Sequence, residues 1–318
     1  MTKKNPTTEP TTSTTVKPDA EASVIAPNTI IPITLPWILV EPAYQVALRE
    51  LSKQVRLEGF RKGKVPPKLA KSMIGEDKLI DATLRRILPA VYQDELIKSG
   101  KQPLVSPEFN PVDLTYGQDW KLEAHIAEKP QLSTKGYEKA VAEGKKEFAA
   151  HVAEEKAAKK DAKADVKNPQ PPQTDEQKAA QEKEHLTQHI FKALIATLKP
   201  AIPELLIKAE TRAELESLAK ELQQFKLSID DYVARRGMTF DQLSAELAST
   251  ALARLQLEYI LEAIGKELNL SATEAELEEY FLQIDDKKTQ AEYRKNEEYK
   301  AYITKLIQRK KLIDQLIA

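Results

Sequence analysis

The chain has 318 residues, which as a soft prior is about two domains. Charged residues are 31% and nearly balanced, for a formal net charge of -1, so the protein is not a polybasic nucleic-acid coat and any pull on a polyanion must come from a local patch. Cysteine is absent, which excludes a disulfide framework and a thiolate metal site.

Hydrophobic residues at 41%, 9 glycines and 6% aromatics favour a mostly helical protein, because strand-rich folds need more turns and more aromatic residues. Residues 1–28 are Thr-rich and lack an apolar core segment. They read as a disordered tail, not a signal peptide. The most apolar run, Ile30 to Val40, is too short to span a membrane and contains Pro32 and Pro36. A soluble, cytoplasmic protein with no membrane partner is expected.

From Thr29 to Leu35, Ile31, Ile33 and Leu35 alternate with Ile30, Pro32 and Thr34. That pattern predicts a strand, and Pro32 confines it to a sheet edge. A helix follows, starting between Pro36 and Pro42, with Tyr44, Ala47, Leu48, Leu51 and Val55 at helical spacing and Lys53 and Arg56 toward its end. It delivers the chain to Gly59-Phe60-Arg61-Lys62-Gly63-Lys64-Val65-Pro66. Two glycines there permit backbone angles that other residues resist, and Pro66 stops the loop and opens a helix. The result is a stiffly mounted finger, tipped with Phe60 and charged by Arg61, Lys62 and Lys64. Such a tip suits RNA, a polyanion with grooves and stacking surfaces. The plainer alternative is a solvated loop between two helices.

This octapeptide resembles the ribosome-docking loop of the trigger factor family, bacterial chaperones of the protein tunnel exit. The family pattern is Gly-Phe-Arg-x-Gly-x-x-Pro, and every fixed position is present. The resemblance implies that Phe60, Arg61 and Lys62 contact the large ribosomal subunit, at rRNA and a neighbouring tunnel-exit protein. It implies that Gly59, Gly63 and Pro66 shape the loop, and Lys64 adds charge.

Beyond the loop, Pro66 or Pro67 opens a short helix that Gly75 closes. Glu76 to Ser99 reads as a longer helix with Ile80, Leu84, Ile87 and Val91 as its stripe, a kink at Pro89 and a stop at Gly100. The period then changes to two in Trp120-Lys121-Leu122-Glu123-Ala124-His125-Ile126, with Pro107 to Leu114 as the partner strand. Residues 29–135 therefore form a small α+β domain. The resemblance implies an extra strand before Thr29, whose place the Thr-rich tail takes here.

Residues 136–173 read as a charged helix to about Lys167, held by neighbouring opposite charges, and a Pro-rich spacer, Asn168 to Gln173. The family usually carries an FK506-binding-type prolyl-isomerase domain at this place. The segment is short, has no strand-like run and has Tyr137 and Phe148 as its aromatics, so that domain is expected to be absent and the protein not to be an enzyme.

Residues 174–318 read as all α. Thr174 to Gln177, Thr239 to Gln242 and Thr273 to Glu276 are capping boxes opening helices to about Leu198, Leu268 and Ile284. Between the first two lie a helix from Pro203 to Lys226, with Leu215, Leu218, Leu222 and Phe225 on one face, and a short helix from Ser228 to Gly237. A last helix carries Tyr302, Ile303, Leu306, Ile307, Ile313 and Leu316. Ile202 to Ile207 and Tyr232 to Thr239 resemble the family's carboxy-terminal chaperone domain. The helix from Thr239 spreads Leu252, Leu255, Leu257, Tyr259, Ile260, Leu261 and Ile264 around more than one face. That is either a central helix packed on several sides or a surface for unfolded clients, with Leu252, Leu255, Tyr259 and Ile260 as the contacts.

His185 and His189 have metal-ligand spacing, but Leu186 stands where a zinc protease needs Glu, and two ligands do not make a zinc site. Glu276, Glu278 and Glu279 read as a solvated helix face. No phosphate loop or nucleophile elbow is present. The expected fold is mostly α: a small α+β amino-terminal domain and an elongated, all-α carboxy-terminal chaperone domain. The expected function is an ATP-independent, cofactor-free chaperone that docks on the ribosome and holds nascent unfolded polypeptides, and a homodimer of the free protein is compatible with it. The alternatives are an RNA-binding module with a helical dimerisation arm and a protein that retains isomerase activity.

Overall fold

A computed structural model describes residues 23–61, 65–161, 174–284 and 286–318. The amino-terminal head is built on the antiparallel sheet β2-β4-β3, formed by β2 (Thr29–Leu35), β3 (Glu108–Asp113) and β4 (Trp120–Ile126). β2 is an edge strand, as Pro32 requires. Ile31, Ile33 and Leu35 point inward from β2, and Trp120, Leu122, Ala124 and Ile126 point inward from β4. The register Ile33↔Leu122 and Leu35↔Trp120 sets these two rows side by side.

Three helices cover that face: α1 (Trp37–Ser52), α2 (Pro67–Ile74) and α3 (Glu76–Ser99). α1 begins earlier than Pro42 and keeps that proline inside its first two turns. Pro42 cannot donate to the carbonyl four residues back, which belongs to Ile38, and Ile38 is exposed enough for water to serve it. α1 also ends at Ser52, so Val55 and Arg56 lie beyond it. On α3 the deepest residues are Leu79, Thr83 and Leu88, while Ile80, Leu84, Ile87 and Val91 flank the core half-buried. Thr83 is tolerated inside because its hydroxyl donates to the Leu79 carbonyl at 2.6 Å.

The body is helical: α4 (Tyr137–Asp161), α5 (Asp175–Leu198), α6 (Glu204–Gln224), α7 (Ile229–Arg236), α8 (Phe240–Glu267), α9 (Glu274–Leu282), α10 (Lys287–Tyr293) and α11 (Glu297–Ile317). The capping boxes at Thr174, Ser228, Thr239 and Thr273 are all formed. α10 has no counterpart in the sequence reading. It is seven residues long, buries nothing, and is started by Asp286 accepting from the Lys288 and Thr289 N–H groups. Phe225, expected on the inner face of α6, lies just past its end and is 74% exposed; Leu205, Leu206, Ile207, Thr211 and Leu222 are the buried positions.

Two short strands were also not anticipated. β1 (Ile25–Ala26) and β5 (Ile202–Pro203) pair in parallel. Ser23 to Asn28, the last residues of the expected tail, thus belong to the fold, while residues 1–22 lie outside the described residues, as does the spacer Asn168 to Gln173.

α4 is not merely a solvated spacer. It packs along α5, and Ala140 and Val141 join Ile190, Leu194, Ile260, Leu261, Ile264, Leu312 and Leu316 in one core. Gly144 allows the approach: a Cβ there would sit 2.7 Å from the Ile190 Cα and 2.9 Å from the His189 carbonyl oxygen. Gly144→Ala would gain about 1 kcal/mol of helix propensity, but the clash is with backbone and costs about 1–3 kcal/mol. A lower thermal midpoint is therefore expected, and a raised midpoint would show that the two helices separate without cost.

The end of the body is tied by Glu276. Its carboxylate takes the Lys311 ammonium at 2.7 Å and the Thr273 N–H at 2.7 Å. These bonds, Lys311 first, hold its pKa down at about 2. A depressed carboxylate contributes stability above its unfolded pKa, about 4.3, and loses it as the pH falls through the folded value. The α9–α11 contact should loosen between about pH 4.5 and pH 2. The acid limb of a circular dichroism titration should flatten in Glu276→Gln; an unchanged limb would refute the assignment.

Candidate functional site

The basic loop leaves the head between α1 and α2. Its two stems are anchored: Leu57 is half-buried against the head core and Val65 is buried in it. After Leu57 the chain turns outward as far as Arg61, the last described residue before Val65. The Phe60 N–H donates to the Leu57 carbonyl at 3.0 Å, closing a tight turn through Glu58 and Gly59. Gly59 has φ +84°, a left-handed value that side chains resist, and nothing lies within 4 Å of where a Cβ would be. The glycine is thus required by the backbone and not by crowding.

Phe60 is 42% exposed at the outside of that turn, and Arg61 is exposed beside it. Burying an aromatic ring is favourable, so a phenylalanine left outward on an anchored turn has surface to give to a partner. Pro66 is exposed and precedes α2, and Gly75 ends that helix. Lys62, Gly63 and Lys64 lie outside the described residues. Lys53, Arg56 and Lys68 are exposed on the chain leading in and out, and among the described residues none of them, nor Arg61, forms an ion pair. Lys71 differs. Its ammonium lies 4.2 Å from the Tyr116 ring centroid and 5.3 Å from that of Tyr44, so it packs over the head's aromatic cluster.

The expected client surface on α8 divides in two. Leu255 and Ile260 are interior residues, Leu255 packed with Ile202, Leu205 and Leu206 and Ile260 with Ile190 and Leu194. They are not available to a client, which corrects the expectation. Leu252 and Tyr259 are half-buried against the same core as Leu255. α8 is the central helix, touching α5, α6, α7 and α11. Even its buried Gln256 is satisfied, donating to the Pro200 carbonyl at 2.9 Å. Exposed apolar residues of the body lie elsewhere, at Phe225, Phe240, Leu282, Tyr302 and Leu306. Periodicity places Phe225, Tyr302 and Leu306 on apolar faces but cannot show that they stay exposed, and Phe240 and Leu282 sit at helix ends, where periodicity carries no signal.

His185 is exposed, whereas His189 turns toward α4, with ring centroids 5.6 Å from His151 and 5.9 Å from Phe148. The two histidines of the i, i+4 pair therefore face different surroundings. Among the described residues no group of three or more His, Asp or Glu side chains is placed to hold a metal. Among the same residues no helix is long and apolar enough to cross a membrane.

Residues 26–164 match the family model described as bacterial trigger factor protein, and residues 160–318 match the one described as its C-terminus. The chain belongs to the trigger factor family. The two matches meet at 160–164, within and just after α4. Trigger factors of Mycobacterium tuberculosis and Mycobacterium bovis are each 38% identical over 103 residues, and that of Mycobacterium avium is 37% identical over the same length. Each alignment covers 32% of this chain and 22% of the relative, so the chain spans about a fifth of the curated trigger factors it matches. A solved trigger factor chaperone, studied for promiscuous substrate recognition in folding and assembly, superposes with a TM-score of 0.52 at 12% identity, covering 91% of this chain and 96% of that one. At that identity the likeness establishes the fold: a mostly helical trigger factor architecture with a small sheet-bearing head.

Proposed function

We propose that this trigger factor docks on the large ribosomal subunit through the loop from Gly59 to Pro66 and holds nascent polypeptides with its helical body, without nucleotide and in the cytoplasm. The observation that carries the reading is an exposed Phe60 on a turn whose stems, Leu57 and Val65, are fixed in the head core. Arg61 and Lys62 meet rRNA phosphate and acidic side chains of the tunnel-exit protein, where a guanidinium makes paired hydrogen bonds and an ammonium acts as a point charge. Phe60 fills an apolar contact. Gly63 and Lys64 complete the loop, and Pro66 fixes its exit into α2.

The body offers exposed apolar residues scattered over several helices, Phe225 just past α6, Leu282 on α9 and Tyr302 on α11 among them. Such spacing supports weak, sequence-tolerant binding from which clients are released. The segment 136–173 contributes α4 to the helical body, and we assign the chain no isomerase activity.

The competing reading is a general RNA-binding module. Titration against ribosomes and against an unrelated RNA of equal length, over a range of salt, separates the two. Preference for ribosomes is expected, with a log–log salt slope of about -0.7 to -0.9 per phosphate neutralised and few phosphates involved. Equal affinity for ribosomes and for the unrelated RNA would favour the competing reading.

A further inference from the structure

Helix α6 begins after Pro203 and has no capping side chain at its own N-cap position. Its first turn therefore carries N–H groups that need acceptors from elsewhere. One comes from the far end of the chain: the Asn28 side-chain oxygen accepts from the Leu205 N–H at 2.9 Å. Four residues earlier the Val24 carbonyl accepts from the Ile202 N–H at 3.0 Å, and Ile25–Ala26 pair with Ile202–Pro203. Pro27 fixes its own φ and keeps Ala26 extended, so the segment from Val24 to Asn28 is stiff. Thr29 follows at once as the first residue of β2, the edge strand of the head.

The head and body are thus joined at two places. One is the apolar contact of Ala127, just past β4, and half-buried Val105, just before β3, with Ile202, Leu205, Leu206 and Leu255, where the Ala127 carbonyl also accepts from the Leu104 N–H at 2.9 Å. The other is the segment from Val24 to Asn28. Ion pairs flank the seam, Lys208 to Glu108 at 3.9 Å and Lys129 to Glu262. The two joints differ in kind. Ala127 is held by apolar burial, while the Val24 and Ile25 side chains remain exposed and their segment is held by hydrogen bonds. A short element with little buried apolar surface opens at low cost.

We propose that residues 24–28 are a releasable strap that fixes the angle of the head against the body, with Asn28 as its positioning residue. Closed, the strap holds β2 to the start of α6 and fixes the direction in which the loop projects relative to the helices. Open, the head keeps its own core and pivots at the remaining apolar contact around Ala127. The strap goes beyond docking and holding and stands apart from them, because the angle is a property of the free chain.

The test uses the full chain. It has no cysteine, so spin labels attach only at cysteines introduced for exposed Gln118, at the head's hairpin turn, and exposed Lys220, on α6. Pulsed electron resonance should give a narrow distance distribution for this background. Asn28→Ala should broaden it about twofold or more and raise amide exchange at Leu205 about tenfold, since local opening governs both. Asn28→Asp keeps an oxygen acceptor at the helix start and should restore both readouts. The proposal fails if Asn28→Ala is as narrow as the background, or if Asn28→Asp is as broad as Asn28→Ala. It fails also if Asn28→Ala loses its helical circular dichroism, because Asn28 is then needed for folding and not for placing a folded head.

Discussion

Alanine at Phe60, Arg61 and Lys62 together should weaken ribosome binding by about 30-fold or more while leaving the thermal midpoint where it was. The size follows from the kind of residues lost. Aromatic and arginine anchors dominate interfaces, and losing such a cluster typically costs about 2 kcal/mol or more. The unchanged midpoint follows from the mounting. Leu57 and Val65 hold the stems in the head core, and both are left intact, while Phe60 and Arg61 lie outside it. Gly59→Ala tests the same loop through its backbone alone. No side chain crowds that position, so any loss of binding there reports the φ of +84° that the turn requires. A fall in midpoint with the triple substitution would instead make the loop part of the head's own packing.

Trp120→Ala should destabilise the head by about 3–5 kcal/mol, a large share of a small domain's total. Trp120 is fully buried on the middle strand. Its ring lies 6.4 Å from that of Trp37 and 6.5 Å from that of Tyr44, centroid to centroid, both on α1. Its indole N–H donates to the Thr115 carbonyl at 3.2 Å, so truncation leaves a cavity and removes one hydrogen bond, while the Thr115 carbonyl keeps the Gln118 N–H at 3.3 Å. Because α1 and α2 carry the loop, ribosome binding should disappear with the head, whereas the far-UV signal of the body should persist. Denaturant unfolding followed by tryptophan-independent circular dichroism reads both. A loss under about 1 kcal/mol would mean that the aromatic cluster repacks around the gap.

The strands of the head could be read from the sequence because their period was clean. Ile31, Ile33, Leu35 and Trp120, Leu122, Ala124, Ile126 each alternate with polar or proline positions, and each row is buried. Helix starts marked by Thr174, Ser228, Thr239 and Thr273 were equally plain, since a capping box is local chemistry. Starts after a proline were not. α1 is capped by Asp119, whose carboxylate takes the Trp37 N–H at 2.7 Å, and α6 by Asn28. Neither partner can be found without the fold, because each lies far away along the chain. α8 shows the other limit. Leu255 and Ile260 have the composition of a sticky surface, and only the placement of α5 and α6 reveals them as core. Gly144 lies in a charged helical run, and a single glycine there does not say which backbone packs against it. The loop itself was legible as a motif, and its exposure and anchoring required the structure.

Docking through the loop is tested most directly from Phe60 itself. A photoreactive phenylalanine analogue at that position, in the otherwise unchanged full chain, should crosslink on ribosomes to the large subunit, at the tunnel-exit protein or the rRNA beside it. Excess unlabelled protein should suppress the crosslink. Crosslinks confined to the chain's own head, or to the small subunit, would contradict the account.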